Sequence, residues 1–264
     1  MKHLIPFLKS PPRVNVVRLD GAIATKRGGL NDQAIAPAIE RAFRKGKPTA
    51  VALSINSPGG SPVQSSLIAA RIRRLADEKG IPVYAFVEDV AASGGYWLAC
   101  AADKIYVDRS SIVGSIGVIS AGFGFDQLIA KHGIERRVYT AGGSKSQLDP
   151  FKPEQDEDVA RLRSLQDEVH VSFIHHVKAS RGDRLPEDAD VFDGTFWTGQ
   201  TSIELGLADA IGHLMPTMKE LHGKKTRFAV FGPKKPFFGR FGAQILDGVM
   251  TSVEERGLWA RYGL

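Results

Sequence analysis

Three short clusters in this chain hold residues that could do chemistry together. The first is Asn56-Ser57-Pro58-Gly59-Gly60-Ser61, set between an apolar run and a helical pattern. Paired glycines there let the backbone approach a ligand closely and leave helix-start amides free to donate, an arrangement suited to an oxyanion. Its plainer reading is a strand-to-helix turn capped by Ser61. The second is Val90-Ala91-Ala92-Ser93-Gly94-Gly95-Tyr96-Trp97. A serine among small residues at a helix start can expose its hydroxyl, with the Gly94 amide on the same side; equally, Ser93 can be an ordinary N-cap. The third pairs Gly114-Ser115-Ile116-Gly117-Val118 with Ala141-Gly142-Gly143-Ser144-Lys145-Ser146. Lys145 has no acidic neighbour until Asp149, so on burial it would lose its proton easily, and in water it would be one more solvated lysine.

Other signals are missing. There is no Gly-x-Ser-x-Gly elbow, His-Glu-x-x-His helix or Walker loop. His170, His175 and His176 fall on one helical pattern without an acidic or cysteine partner, so no metal and no cofactor is expected. One cysteine, Cys100, excludes an intrachain disulfide and fits a reducing compartment.

The elements that must position these clusters follow an α/β alternation. Strands are expected at Val14–Leu19, Ala50–Ile55, Val83–Val87, Lys104–Val107 and Arg136–Thr140. A helix capped by Asp32 carries Ile35, Ile39 and Phe43 and stops at Gly46. A second opens with Ser61 and Pro62 and ends at Gly80. From Pro153, the spacing Val159, Leu162, Leu165, Val169, Phe173, Val177 predicts a long amphipathic helix, buried against the sheet or another subunit. A further helix starts near Gly199, and residues 242–258 can form a last one.

The chain has 264 residues, 43% of them hydrophobic and 24% charged, enough for a full core without staples. We expect an N-terminal segment at 1–11, a compact domain at 12–218 and a basic extension at 219–264. The longest uncharged stretch, Ser110 to Phe125, is too short and too rich in Gly and Ser to span a bilayer. The N-terminus lacks the pattern of a secretory signal, so a cytoplasmic protein is expected. The net charge of +6 is concentrated late, at Lys219, Lys224, Lys225, Arg227, Lys234, Lys235 and Arg240, interleaved at its end with Phe237, Phe238 and Phe241. A solvated tail or peripheral contact with anionic membrane fits that pattern; nucleic acid does not, for want of a binding motif.

Taken together, the clusters resemble the SppA-type signal peptide peptidases, serine–lysine proteases of the Clp protease/crotonase superfamily. The resemblance runs from about Val14 to Gly212 and lies in the order of motifs. Ser-Pro-Gly-Gly looks like the family's oxyanion turn, Ala-Ser-Gly-Gly-Tyr its nucleophile turn, Gly-Ser-Ile-Gly-Val the segment that steadies the base. Gly-Ser-Lys-Ser, before Asp149-Pro150-Phe151, looks like the base loop. The 52-residue spacing of Ser93 and Lys145 is similar to that of single-copy members. Phe196-Trp197-Thr198-Gly199-Gln200 and Leu205-Gly206-Leu207-Ala208-Asp209 resemble the closing motif. The resemblance implies a fold of repeated β-β-α units, with the long helix and basic extension added. It implies Ser93 as nucleophile, Lys145 as base, Ser115 orienting that base, and the amides of Gly60 and Gly94 as oxyanion hole. It also implies extended apolar peptides as substrates and a homo-oligomer whose neighbours complete each site. Three departures stand out: no membrane-anchoring helix, Thr195 in place of the usual arginine, and one catalytic module where the long form has two. Two other readings stay open, a non-proteolytic acyl-CoA enzyme using Glu88 or Asp89, and a catalytically silent membrane-associated scaffold.

Overall fold

A computed structural model describes residues 11–25, 28–187, 190–232 and 256–264. The order of elements is β1 (Arg13–Asp20), α1 (Asp32–Arg44), β2 (Ala50–Ser57), α2 (Pro62–Lys79), β3 (Val83–Ala92), α3 (Gly94–Ala99), β4 (Lys104–Val107) and β5 (Ile112–Gly114). Then come α4 (Asp126–Lys131), α5 (Asp156–Arg181), β6 (Phe196–Thr198), α6 (Gly199–Glu204), β7 (Ala210–Ile211), α7 (Leu214–His222) and β8 (Arg227–Phe231).

These elements divide into two compact units, residues 117–173 and the remainder. In the larger unit one sheet runs in the order β6-β5-β3-β2-β1-β8, with β4 and β7 branching from β3. Its strands pair in parallel except β5 with β6. Central strands of such a sheet are covered on both faces and read as continuous apolar runs, as Ala50–Ile55 does. Ten-residue β3 forks the sheet: Tyr84–Phe86 pair with β4, and Val90–Ala92 with β5. The carboxyl ends of β2, β3 and β5 therefore converge, the place where α/β sheets present their ligand sites.

Local chemistry explains the boundaries. Ser61 caps α2, Pro62 opens it, and Gly80, left-handed at φ 59°, closes it. Asn31, not Asp32, caps α1: its side chain accepts from the Ala34 amide, which leaves Asp32 free to pair with Arg71 at 2.7 Å. That guanidinium holds the Asp32 carboxyl below its ordinary range, mainly through the hydrogen bond. The strand expected at Arg136–Thr140 does not form. The segment has no regular structure and is exposed, and charged residues at Glu135, Arg136 and Arg137 give it no buried face to pair with.

The larger unit also runs past residue 218. Met218 of α7 is fully buried, and β8 pairs in parallel with β1, so Lys219 to Arg227, which join that helix to that strand, belong to the larger unit. The rest of the basic run and most of the helix expected at 242–258 lie outside the described residues.

In the smaller unit the segments 120–126 and 143–155, with the start of α5, line a groove of about 860 Å³ that includes Phe123, Phe125, Ser146, Asp149, Lys152 and Asp158. Phe125 stacks on Phe151 at 5.5 Å, and the Arg136 guanidinium lies over that ring. This unit carries much exposed apolar surface, with Phe123 81% and Tyr139 90% exposed. The helix expected from Pro153 begins at Asp156, and only part of its stripe is covered: Val177 is buried while Leu165 is exposed.

Candidate active site

Ser93 sits where β3 ends and α3 begins. Its backbone is at φ 51°, ψ −122°, and its side chain makes no capping hydrogen bond. A non-glycine residue with positive φ is strained by about 1–3 kcal/mol, and such strain gathers at functional positions. Ser93 is therefore not the ordinary N-cap its sequence also allowed. The strained strand-turn-helix presents a half-exposed hydroxyl from an otherwise buried helix, the geometry of a nucleophile elbow without that motif's glycine pattern.

The Gly59–Gly60 turn lies directly against it. A Cβ at Gly59 would fall 2.7 Å from Ser93 Cβ and 2.8 Å from the Gly94 nitrogen, and one at Gly60 would overlap the Ile23 carbonyl. Only glycine tolerates both these approaches and the φ values of 98° and 138°. Neighbouring bonds fix the turn: Ile23 N–H donates to Gly59 O at 2.8 Å, and Ser61 N–H to Ile23 O at 2.8 Å. Gly94 is equally enclosed, since a Cβ there would meet Ser65 Oγ and come within 3.4 Å of the Gly60 nitrogen. The amides of Gly60 and Gly94 are thus neighbours, and Gly94, in the first turn of α3, has no acceptor inside that helix.

Asn56 stands in the first cluster, but its role there shows only in the fold. It bridges β2 to β3 where their register shifts, donating to Asp89 at 2.8 Å and accepting from the Val90 amide at 3.2 Å. Glu88 likewise accepts from Ser54. Each of these exposed carboxylates thus ties β2 to β3.

Ser115 stands one strand over. Ser93 N–H donates to Gly114 O at 2.8 Å, tying the β3 end to the β5 end. Ser115 is itself strained at φ 53°, is 6% exposed, and donates its amide to Thr195 O at 2.7 Å. Thr195, where an arginine was expected by resemblance, locks its own turn: its amide and hydroxyl both donate to Asp193 at 2.8 Å. Those two bonds hold the Asp193 carboxyl below its ordinary range. Tyr96, in the second cluster, sends its buried hydroxyl to Leu207 O at 2.8 Å and so fastens α3 to the Leu205–Asp209 stretch. Burial drives its phenol well above the usual range and pushes the neighbouring Cys100 thiol up to about 11, so neither is reactive at neutral pH.

Lys145 belongs to the smaller unit. It is exposed on a turn closed by its own amide donating to Gly142 O at 3.2 Å. Asp149, the first acid beyond it, is engaged with Arg136 at 3.1 Å and with the Phe151 amide. His176, one of the three helical histidines, stacks on Trp97 at 5.0 Å and shares a 2.9 Å hydrogen bond with the Trp97 carbonyl; burial holds its imidazole below the usual range. It packs α5 against α3.

The sheet and its flanking helices form a Clp protease/crotonase-like α/β fold. The 1510-N membrane-bound stomatin-specific protease, solved with a substrate peptide, shares this fold with a TM-score of 0.53 and 12% identity, over 93% of this chain and 99% of that one. The family model of peptidase family S49 matches residues 76–226, and the chain belongs to that family. It is 46% identical to part of the Na(+)/H(+) antiporter NhaA of Brucella melitensis biotype 1, over 100% of this chain and 39% of that protein. It is 30% identical to the putative signal peptide peptidase SppA of Enterococcus faecium, over 66% of this chain and 51% of that protein. The chain thus spans about half or less of these relatives' lengths. Among the described residues no helix is long and apolar enough to cross a membrane.

Proposed function

We propose that this chain is a serine endopeptidase that hydrolyses extended apolar peptides through an acyl-enzyme. The observation that carries the reading is the strained, uncapped Ser93 held against the Gly59–Gly60 turn. Ser93 Oγ adds to the substrate carbonyl carbon while its proton passes to Lys145 Nζ. Oxyanion charge is met by the amides of Gly60 and Gly94, each worth about 3 kcal/mol in such a site. As the C–N bond breaks, the lysine returns the proton to the leaving nitrogen. Water then attacks the ester, gives its proton to the same amine, and Ser93 recovers it. Ser115 orients the amine by accepting one of its N–H groups and brings no countercharge.

A lysine acts as a base only when uncharged, which desolvation favours. Lys145 is exposed in the single chain, so its desolvation must come from bound peptide or from neighbouring copies. The apolar residues exposed on the smaller unit, Phe123 and Tyr139 foremost, support a homo-oligomer in which neighbours complete each site. Sedimentation of active enzyme is expected to give a species of several copies, and a monomer with full activity would refute the assembly. Peripheral contact of the basic run with anionic lipid at the cytoplasmic face is proposed on its charge alone.

The mechanism is tested at Lys145. Lys145→Ala is expected to lower hydrolysis of an apolar fluorogenic peptide by about 10³-fold or more without lowering the melting temperature. Peptide hydrolysis at the native rate in that variant, alongside a dead Ser93→Ala, would show that another group takes the proton.

A further inference from the structure

The described C-terminal stretch, residues 256–264, reaches the site through one side chain. Tyr262 is 9% exposed, its ring packed on Val90 and Ala92 at the end of β3, with Ile112 and Trp259 alongside. It meets Phe196 edge-on at 5.1 Å, and Phe196 pairs in register with Gly114. Three strand ends that flank Ser93 and Ser115 therefore clamp this ring. Its hydroxyl donates to Ser115 Oγ at 3.3 Å in a buried setting.

We propose that Tyr262 is a positioning residue for the peptidase reaction, fixing the Ser115 hydroxyl so that it can receive the base. A serine hydroxyl has one proton and two acceptor lone pairs, and it rotates to suit its partners. With Tyr262 committed to one lone pair, the proton and the second lone pair of Ser115 have fewer directions left. The second lone pair is the one an amine N–H of Lys145 would use. The 3.3 Å separation is long for O–H···O, and such bonds commonly tighten once substrate is bound. Buried tyrosine hydroxyls need a partner for satisfaction alone, yet this one ends on a serine whose backbone is itself strained at φ 53° and pinned through its amide to Thr195. The proposal rests on the Ser93, Lys145 and Ser115 assignments above.

Tyr262→Phe keeps the ring and removes only the hydroxyl. With an apolar fluorogenic peptide, kcat is expected to fall about three- to tenfold, the range a single lost hydrogen bond supports, with KM unchanged. In a Ser115→Ala background the same substitution is expected to change kcat by less than twofold, because the group it positions is gone. A purely structural tyrosine predicts the reverse: a lower melting temperature, kcat intact, and equal effects in both backgrounds, which would overturn the proposal. A rise in kcat would also overturn it, marking Tyr262 as a competitor for Ser115. Full activity in Ser115→Ala itself would overturn the role given to Ser115 and this proposal with it. Residual hydrolysis in Ser93→Ala would strike the nucleophile assignment instead, so the failures are distinguishable.

Discussion

Ser93→Ala is expected to bring peptide hydrolysis down by about 10⁴-fold or more and to abolish acylation by a fluorophosphonate probe, since removing a covalent nucleophile leaves only oxyanion stabilisation and binding. The companion variant, Ser93→Gly, is equally inactive but differs in stability. At φ 51° and ψ −122° alanine keeps the strain that serine bears, whereas glycine enters this region freely. Glycine's greater unfolded-state freedom costs about 0.5–1 kcal/mol, less than the upper range of the strain. We therefore expect Ser93→Gly to melt above Ser93→Ala by a few degrees, about 1 kcal/mol at this chain length. Two inactive variants with that stability order would mark the backbone at 93 as held out of its minimum for the sake of the hydroxyl. A labelled Ser93→Ala protein would place the nucleophile elsewhere.

What the sequence made legible was the local chemistry at strand ends. Ser61, Pro62 and Gly80 act through local caps and backbone preferences, which need no tertiary partner, and the α2 boundaries follow from them. Lys104–Val107 is apolar enough to be read directly. Arg136–Thr140 shows the opposite case. Strand formation depends on a neighbour to pair with and a face to bury, and alternation in one segment says nothing of whether either exists. The β8 strand escaped for a related reason. Its basic approach through Lys224, Lys225 and Arg227 reads as a tail, and only the free edge of β1 turns Arg227–Phe231 into a strand. Of the site, Ser93 and the glycine turns were visible as small-residue clusters. The strain at Ser93 and Ser115, Asn56's bridge to Asp89 and Val90, and Tyr262's contact with Ser115 were not. Each depends on residues far apart in the chain, 147 in the last instance.

Arg181, the last residue of α5, is expected to carry one of the largest stability effects in the molecule. It is 1% exposed, donates Nε–H to Gly206 O at 2.7 Å, and pairs with Asp209 at 2.9 Å. Asp209 also accepts from the Ile105 amide at 2.7 Å and from Arg184 at 3.1 Å. Losing one partner of a buried pair strands the other, at about 3–5 kcal/mol. The two halves are not equivalent. Arg181→Met leaves Asp209 with Arg184 and the Ile105 amide, so the cost is expected at the low end, about 3 kcal/mol. Asp209→Ala leaves a buried guanidinium with a single carbonyl acceptor and is expected to cost more, enough to lower the melting temperature by about 10 °C or beyond. Combining Arg181→Met with Asp209→Ala should cost less than the sum of the two, as for any directly coupled pair. The pH dependence has a definite sign. Burial by itself would raise the Asp209 carboxyl, but the Arg181 hydrogen bond, the Ile105 amide and the two guanidinium charges outweigh it, and the net shift is downward. A carboxyl held lower in the folded state contributes stability above its unfolded value near 3.9 and loses it as pH falls through the folded one. Denaturant unfolding of the native chain should thus weaken below about pH 4, and Asp209→Asn should flatten that part of the curve. An unchanged acid limb in Asp209→Asn would mean that other carboxylates, Asp32 beside Arg71 first among them, dominate acid unfolding. Equal stabilities for Arg181→Met and the native chain would mean that the closing stretch Leu205–Asp209 is held without Arg181, by Tyr96, Arg184 and the Ile105 backbone.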